Sequence, residues 1–200
     1  METLAKHGVR LVDGPLVLRP MTEDDWDFVQ RWNADLDILH YAEGGWIAAR
    51  SLEETQKLYR EASRTALVFV AELTGKPIGE CWLQEMNVTR ILSRFPDWDC
   101  YRIDLMIGEK KMWGQGWGST MIKLLTRFAF EQCGADAVFG CGIADYNRRS
   151  RRAFEKNGYL ISRIVPQAPG AKALKCYDLL LTRERCAAVG RSVRSVESPP

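Results

Sequence analysis

Trp113-Gly114-Gln115-Gly116-Trp117-Gly118 sets three glycines at alternate positions between a strand-like run, Tyr101 to Gly108, and a helix-like run, Ser119 to Gln132. A glycine-spaced turn feeding a helix start leaves backbone N–H groups without intrahelical partners, and the helix dipole adds positive potential there. The segment therefore suits an anion such as a phosphate. A flexible turn between two elements has the same short spacing, so the rest of the chain must decide.

Two common phosphate loops are excluded by residue type. A P-loop ends in Gly-Lys-Ser or Gly-Lys-Thr, whereas Gly118 is followed directly by Ser119. A dinucleotide loop needs Gly-x-Gly-x-x-Gly, and the spacing here is two and two.

Around this loop the pattern is α/β. Leu16 to Arg19 reads as a strand closed by Pro20, and Thr22 with Asp25 starts a helix reaching about Asn33. Asp35 to Arg50 reads as a loop, and Ser51-Leu52-Glu53-Glu54 opens a second helix to about Ser63. Ala66 to Leu73 and Ile78 to Gln84 form a hairpin across Thr74-Gly75-Lys76-Pro77. Met86 to Asp99 reads as irregular. Ala137 to Gly142 is a further strand, Asn147 to Asn157 a helix ended by Gly158, and Tyr159 to Val165 and Ala173 to Thr182 two last strands. The order implies one mixed sheet, antiparallel first and with a parallel βα unit later. Residues 1–14 read as an N-terminal extension and 15–184 as one domain; the Ala, Gly, Arg, Ser and Pro content after Arg185 predicts a disordered tail.

Composition narrows the function classes. A 200-residue chain with 46% hydrophobic and 27% charged residues suits one soluble domain, and no apolar run approaches a membrane span. No stretch near the N-terminus resembles a signal peptide, so a cytoplasmic location is expected. Six cysteines without a Cys-x-x-Cys pair, and only two histidines, argue for free thiols and no metal site. A net charge of +2 is too small to imply nucleic acid or a membrane surface.

The glycine loop followed by Asn147-Arg148-Arg149-Ser150-Arg151-Arg152-Ala153-Phe154-Glu155-Lys156-Asn157-Gly158-Tyr159 resembles the GCN5-related N-acetyltransferase (GNAT) family. The resemblance implies a central mixed sheet flanked by helices, with a central parallel pair that splays apart, and acetyl-CoA as co-substrate. Carried over residue by residue, it places the acetyl-CoA site at Met106, Ile107, Trp113, Gly114, Gln115, Gly116, Trp117, Gly118, Ser119, Thr120, Asn147, Arg152 and Lys156. Within the family, Leu18-Arg19-Pro20-Met21-Thr22, Gly75-Lys76-Pro77-Ile78-Gly79 and Arg102-Ile103-Asp104 are most similar to aminoglycoside 6'-N-acetyltransferases, enzymes of the antibiotic-resistance type. The sequence departs from the family at Trp113, where Gln or Arg is frequent, and at Phe154, where many members carry a catalytic tyrosine.

Acetyl transfer to an amine requires a deprotonated nitrogen, a polarised thioester carbonyl and a stabilised thiolate. Asp104, within an apolar strand, is the candidate base; a surface-facing Asp, or one paired with Arg102, is the alternative. Helical spacing aligns Arg148, Arg152 and Lys156 on one stripe, with Arg149 and Ser150 turned away. Between Glu80 and Glu109 the acids Glu80, Glu85, Asp97, Asp99, Asp104 and Glu109 face three arginines, a balance that suits a polycationic amino sugar. Tyr41, Trp46, Glu85, Asp97 and Asp99 are the candidate acceptor contacts, and Trp82 reads as core. Acetylation of a protein N-terminus or a siderophore precursor, or a non-catalytic acyl-CoA-binding module, are the competing functions. Either a monomer or a homodimer fits.

Overall fold

A computed structural model describes residues 3–43 and 48–194. β1 (Leu11–Asp13) and β2 (Leu16–Pro20) form a hairpin, and a single tight helical turn leads into α1 (Trp26–Ala34). Asp25 replaces the glutamate of the usual capping box: its Oδ2 accepts from the Thr22 N–H at 2.7 Å, and its carboxylate pairs with Arg19. α2 (Leu36–Ala42) follows where the sequence predicts a loop. Asp35 accepts hydrogen bonds from the N–H groups of Asp37 and Ile38, and Ile38 and Leu39 are buried. A cap plus one buried turn thus outweighs the polar, Gly-containing surroundings on which the loop reading rested.

α3 (Leu52–Ala62) begins at Ser51 with the predicted cap, and β3 (Ala66–Leu73) and β4 (Lys76–Glu85) form the predicted hairpin. The stretch predicted as irregular contains a short α4 (Thr89–Leu92). β5 (Cys100–Ile107), α5 (Trp117–Glu131), β6 (Ala137–Ala144), α6 (Arg148–Lys156), β7 (Leu160–Pro166), β8 (Lys175–Thr182) and α7 (Arg183–Arg194) complete the chain. α7 occupies the segment expected to be a disordered tail from Arg185. Its Ala and Arg residues favour helix without needing a large buried face. Arg183 anchors its start by donating to the carbonyls of Phe130 and Ala135.

All eight strands form one sheet in the order β1-β2-β3-β4-β5-β6-β8-β7, antiparallel throughout except for β5 beside β6. The two-residue period of the strands divides the core. Cys81, Leu83, Ile103 and Leu105 pack under α5 and α6, while Val68, Val70 and Met106 pack under α1 and α3. The first residues are not peripheral, because Leu4 is buried in this second cluster and β1 extends the sheet.

Candidate active site

The site begins where the parallel pair ends. β5 and β6 are in register at Cys100 with Ala137, Tyr101 with Val138 and Arg102 with Phe139, and then part although both strands continue. α6 leans on β6 through Phe154, whose ring lies so close to Gly140 that a Cβ there would stand 2.7 Å from it. Beyond Gly140, a bulge relative to β8 turns Gly142 to φ +65, and its N–H is held by Asp178 Oδ1 at 2.9 Å. A cavity of about 640 Å³ fills the gap, within the size range of small-molecule sites.

One wall comes from the glycine loop. Gly114 and Gly116 have φ of +77 and +93, with open space around both, so conformation rather than room demands glycine there. Gly116 is the N-cap of α5, no side chain caps that end, and its first turn carries no acid. The remaining donors of that turn and the dipole therefore present positive potential to the cavity. Arg152 and Lys156 also line it, exposed and with no ion pair among the described residues. Pyrophosphate fits this wall.

The rim of the gap holds a further backbone donor. Gly108 N–H donates to Ile78 O on β4, so strand alternation turns the N–H and C=O of Ile107 the other way, toward the gap. The Ile107 carbonyl is taken by Trp113 Nε1 at 2.8 Å. Trp113 thus replaces a polar loop residue with a brace between loop and strand. Its ring and that of Tyr41 meet edge-on at 5.6 Å, and the Arg149 guanidinium sits in the corner between them, 4.1 and 4.3 Å from the two centroids.

Opposite lies a chamber under α1 to α3. Asp104 is on its floor, 32% exposed, with Oδ1 accepting from Arg102 Nη2 at 2.6 Å. Pairing with Arg102 is thus the local arrangement. Glu80, only 6% exposed, lines the same chamber with Trp82, Tyr59, Asn33 and the Glu43–Arg50 ion pair. Burial first, and then the neighbouring Asp104 carboxylate, push the Glu80 carboxyl well above the usual carboxylate range. The Trp82 indole opposes that shift without a hydrogen bond of ordinary geometry. Burial also pushes the Cys141 thiol up to about 12, which keeps this cavity-lining cysteine a neutral thiol rather than a nucleophile.

The structure gathers most sequence-predicted site residues. Asp104, Met106, Ile107, Trp113, Gly114, Gly116, Trp117, Gly118, Ser119, Asn147, Arg152, Lys156 and Tyr41 line the cavity. Gln115 and Thr120 line an adjoining hollow that shares Gly116, Trp117, Ser119 and Lys156 with it. Asn147, however, spends its side chain on structure: Oδ1 caps α6 at Ser150 N–H, and Nδ2 donates to Tyr41 O at 2.8 Å. Arg149 and Ser150, expected to turn away, line the cavity, whereas Arg148 does not. Glu85, Asp97 and Asp99 lie outside it: Glu85 ends β4 opposite Tyr101, and the Asp99 backbone pairs with Asp136 below the splay. Their acidity is local to sequence and is not focused in the cavity. Trp46 lies outside the described residues. Trp82, read as core, is half-buried on the cavity wall. Glu80 could have been singled out by its period, since it shares a β4 face with Trp82 while Cys81 and Leu83 fill the other.

A family model described as an acetyltransferase (GNAT) domain matches residues 15–160. The chain belongs to the GNAT acetyltransferase family, with acetyl-CoA as co-substrate. Among solved structures it is similar to the aminoglycoside acetyltransferase AAC(6')-Ib in complex with coenzyme A and kanamycin, at 20% identity over 88% of this chain and 99% of that one, with a TM-score of 0.68. It is similar also to spermidine N-acetyltransferase from Vibrio cholerae in complex with CoA and spermine, at 17% identity over 88% and 99% of the two chains, with a TM-score of 0.71. A GNAT acetyltransferase from Bacillus anthracis matches at 18% identity over the same shares, with a TM-score of 0.69. At these identities the likeness is one of fold.

Proposed function

We propose that the chain transfers the acetyl group of acetyl-CoA to a primary amine of a small polycationic acceptor, an amino sugar of the aminoglycoside type acetylated at its 6'-amine. One observation carries this reading: a single cavity joins the uncapped start of α5 to a chamber where the Glu80 carboxyl, without an ion pair among the described residues, lies beside Asp104. The solved neighbours that hold kanamycin or spermine support a cationic amine as acceptor.

Acetyl-CoA supplies an activated acyl group and a thiolate leaving group. The α5 amides, Arg152 and Lys156 hold its phosphates, and the Ile107 N–H, turned toward the gap, polarises the thioester oxygen. Asp104 meets the acceptor ammonium and fixes it near the splay. Phe154, 1% exposed and edge-on to Tyr159, holds α6 against β6 and has no proton to give the departing thiolate.

The test is release of free CoA thiol from acetyl-CoA with a panel of kanamycin, ribostamycin, spermidine, a peptide with a free N-terminus and a hydroxylated diamine. Turnover of kanamycin or ribostamycin is expected, and Asp104→Asn should lower kcat/KM by about 100-fold while acetyl-CoA binding persists. Turnover of the peptide alone would overturn the acceptor assignment. Acetyl-CoA binding without turnover of any amine would favour a non-catalytic module.

A further inference from the structure

Among the described residues, four buried polar atoms in the acceptor chamber have no hydrogen-bond partner: Glu80 Oε2, Trp82 Nε1, Asp104 Oδ2 and Arg102 Nε. Strand register gathers them on one patch. Trp82 stands directly across from Asp104, and Glu80 directly across from Met106, so all four side chains share one face of the sheet. Orphaned polar atoms are costly in a dry interior and mark a place where a ligand, a water or a proton belongs. Four on one face of a cavity wall point to a ligand.

The two carboxylates are not equivalent. Asp104 gives one oxygen to the Arg102 guanidinium at 2.6 Å, so it already has a cationic partner within the protein. Glu80 has no ion pair among the described residues. It also stands two residue pairs nearer the open end of the splay, at the rank of Met106, about 7 Å along the strand from the rank of Asp104. Glu80 is therefore on the rank nearer the end of β5 that holds Ile107.

We infer that Glu80 is the proton-accepting catalytic residue of amine acetylation, and that Asp104, backed by Arg102, holds the acceptor's ammonium beside it. This rests on the acetyltransferase reading above. Every ionisable group facing Glu80 fits the role. Asp104 and Arg102 on β5 balance each other, Glu43 after α2 is paired with Arg50 before α3, and burial pushes the Tyr59 hydroxyl on α3 up so that it stays neutral. Among the described residues, Glu80 forms no ion pair, and an entering ammonium would be its first. In that dry setting a neutral amine beside a neutral carboxyl is favoured over the separated charges.

The step balances as follows in atoms and electrons. An N–H bond of the ammonium breaks, its electron pair stays on nitrogen and its proton passes to the ionised Glu80 carboxylate, the form whose growth with pH the rise of kcat reports. The freed pair forms the N–C bond at the acetyl carbon; the C–S bond breaks with its pair leaving on sulfur, and a second nitrogen proton neutralises the thiolate.

The experiment measures kcat and KM from pH 6 to 10 for the wild type, Glu80→Gln, Glu80→Asp and Asp104→Asn, using whichever amine of the panel turns over fastest. Infrared spectra of the free proteins near neutral pH give a readout apart from activity. Glu80→Gln should lose about 100-fold or more in kcat with a small change in amine KM, and should lose the rise of kcat with pH. Glu80→Asp should retain that rise at reduced kcat. Asp104→Asn should raise the amine KM and move the rise to lower pH, because the like charge that favours Glu80 protonation is gone. The wild-type spectrum should contain a protonated-carboxyl C=O band that Glu80→Gln lacks. Unaltered kcat and pH dependence in Glu80→Gln, or an unaltered spectrum, would overturn this inference alone. If Glu80→Gln fails to fold, Glu80→Asp decides: an unaltered kcat overturns the inference, a reduced one with the rise retained supports it. No turnover of any amine by the wild type would overturn the acetyltransfer reading and this inference together.

Discussion

Gly140→Ala tests the packing that opens the cavity. An alanine Cβ at this position would meet three atoms of the Phe154 ring at 2.7, 2.8 and 2.9 Å, roughly 0.7 Å inside ordinary 3.4 Å contact. The ring has little freedom to retreat. It is 1% exposed and lies edge-on to Tyr159 at 5.0 Å, and the Tyr159 hydroxyl is itself bound to Thr126 at 2.6 Å. Relief therefore requires α6 to shift as a unit, taking Asn147, Arg149 and Arg152 with it. Overpacking of this kind costs about 1–3 kcal/mol, which for a chain of this size lowers Tm by roughly 2–12 °C. Because the same shift moves one wall of the cavity, acetyl-CoA affinity should weaken by several-fold or more. The assay is thermal melting and calorimetric titration of acetyl-CoA for Gly140→Ala, Phe154→Leu and the double variant. If the clash is the cause, the double variant should cost less than the sum of the singles by on the order of 1 kcal/mol. Strictly additive losses, or a Gly140→Ala protein that melts and binds like the parent, would refute the reasoning.

The glycines of the loop should separate by conformation. Gly116→Ala places a side chain at φ +93 and is expected to destabilise by about 1 kcal/mol or more. Gly118→Ala lies inside α5 with its nearest neighbour, Leu105 Cδ1, at 3.4 Å, and should be neutral or slightly stabilising, as denaturant unfolding would measure. Acid should weaken the N-terminal corner of the fold through Glu23. The hydrogen bond from Arg60, helped by the Leu4 N–H and the Trp26 indole, lowers the Glu23 carboxyl from 4.5 to about 2. A depressed folded pKa contributes stability that is complete above about 4.5 and lost as pH falls toward 2. Glu23→Gln should therefore flatten the fall in Tm across that window while lowering Tm at neutral pH; parallel curves would sink the assignment. The brace from Trp113 Nε1 to Ile107 O predicts that Trp113→Phe, which keeps the ring over Arg149 but removes the donor, weakens acetyl-CoA binding with little change in Tm.

The chain's own sequence determined the order of elements in the second half and the glycine-loop and α6 residues that wall one side of the cavity. Those features are local: left-handed glycines feeding a helix, an Asn cap at the start of α6 and period-2 strands act within a few residues, so they can be read in one dimension. The α2 helix escaped because a capped helix of about two turns owes its stability to burial of Ile38 and Leu39, with Ile38 packed among residues distant in sequence. The acceptor side was decided by tertiary structure alone. Closeness in sequence suggested Glu85, Asp97 and Asp99, yet the register of β4 on β5 leaves them away from the gap and brings Glu80 to the rank of Met106. Cross-strand pairing sets Trp82 against Asp104, and residues of α1 to α3 line the chamber above that patch, where Glu80 is 6% exposed. A carboxylate's chemistry depends on which charges face it and how dry it is, and both are fixed only when strands far apart in sequence come together.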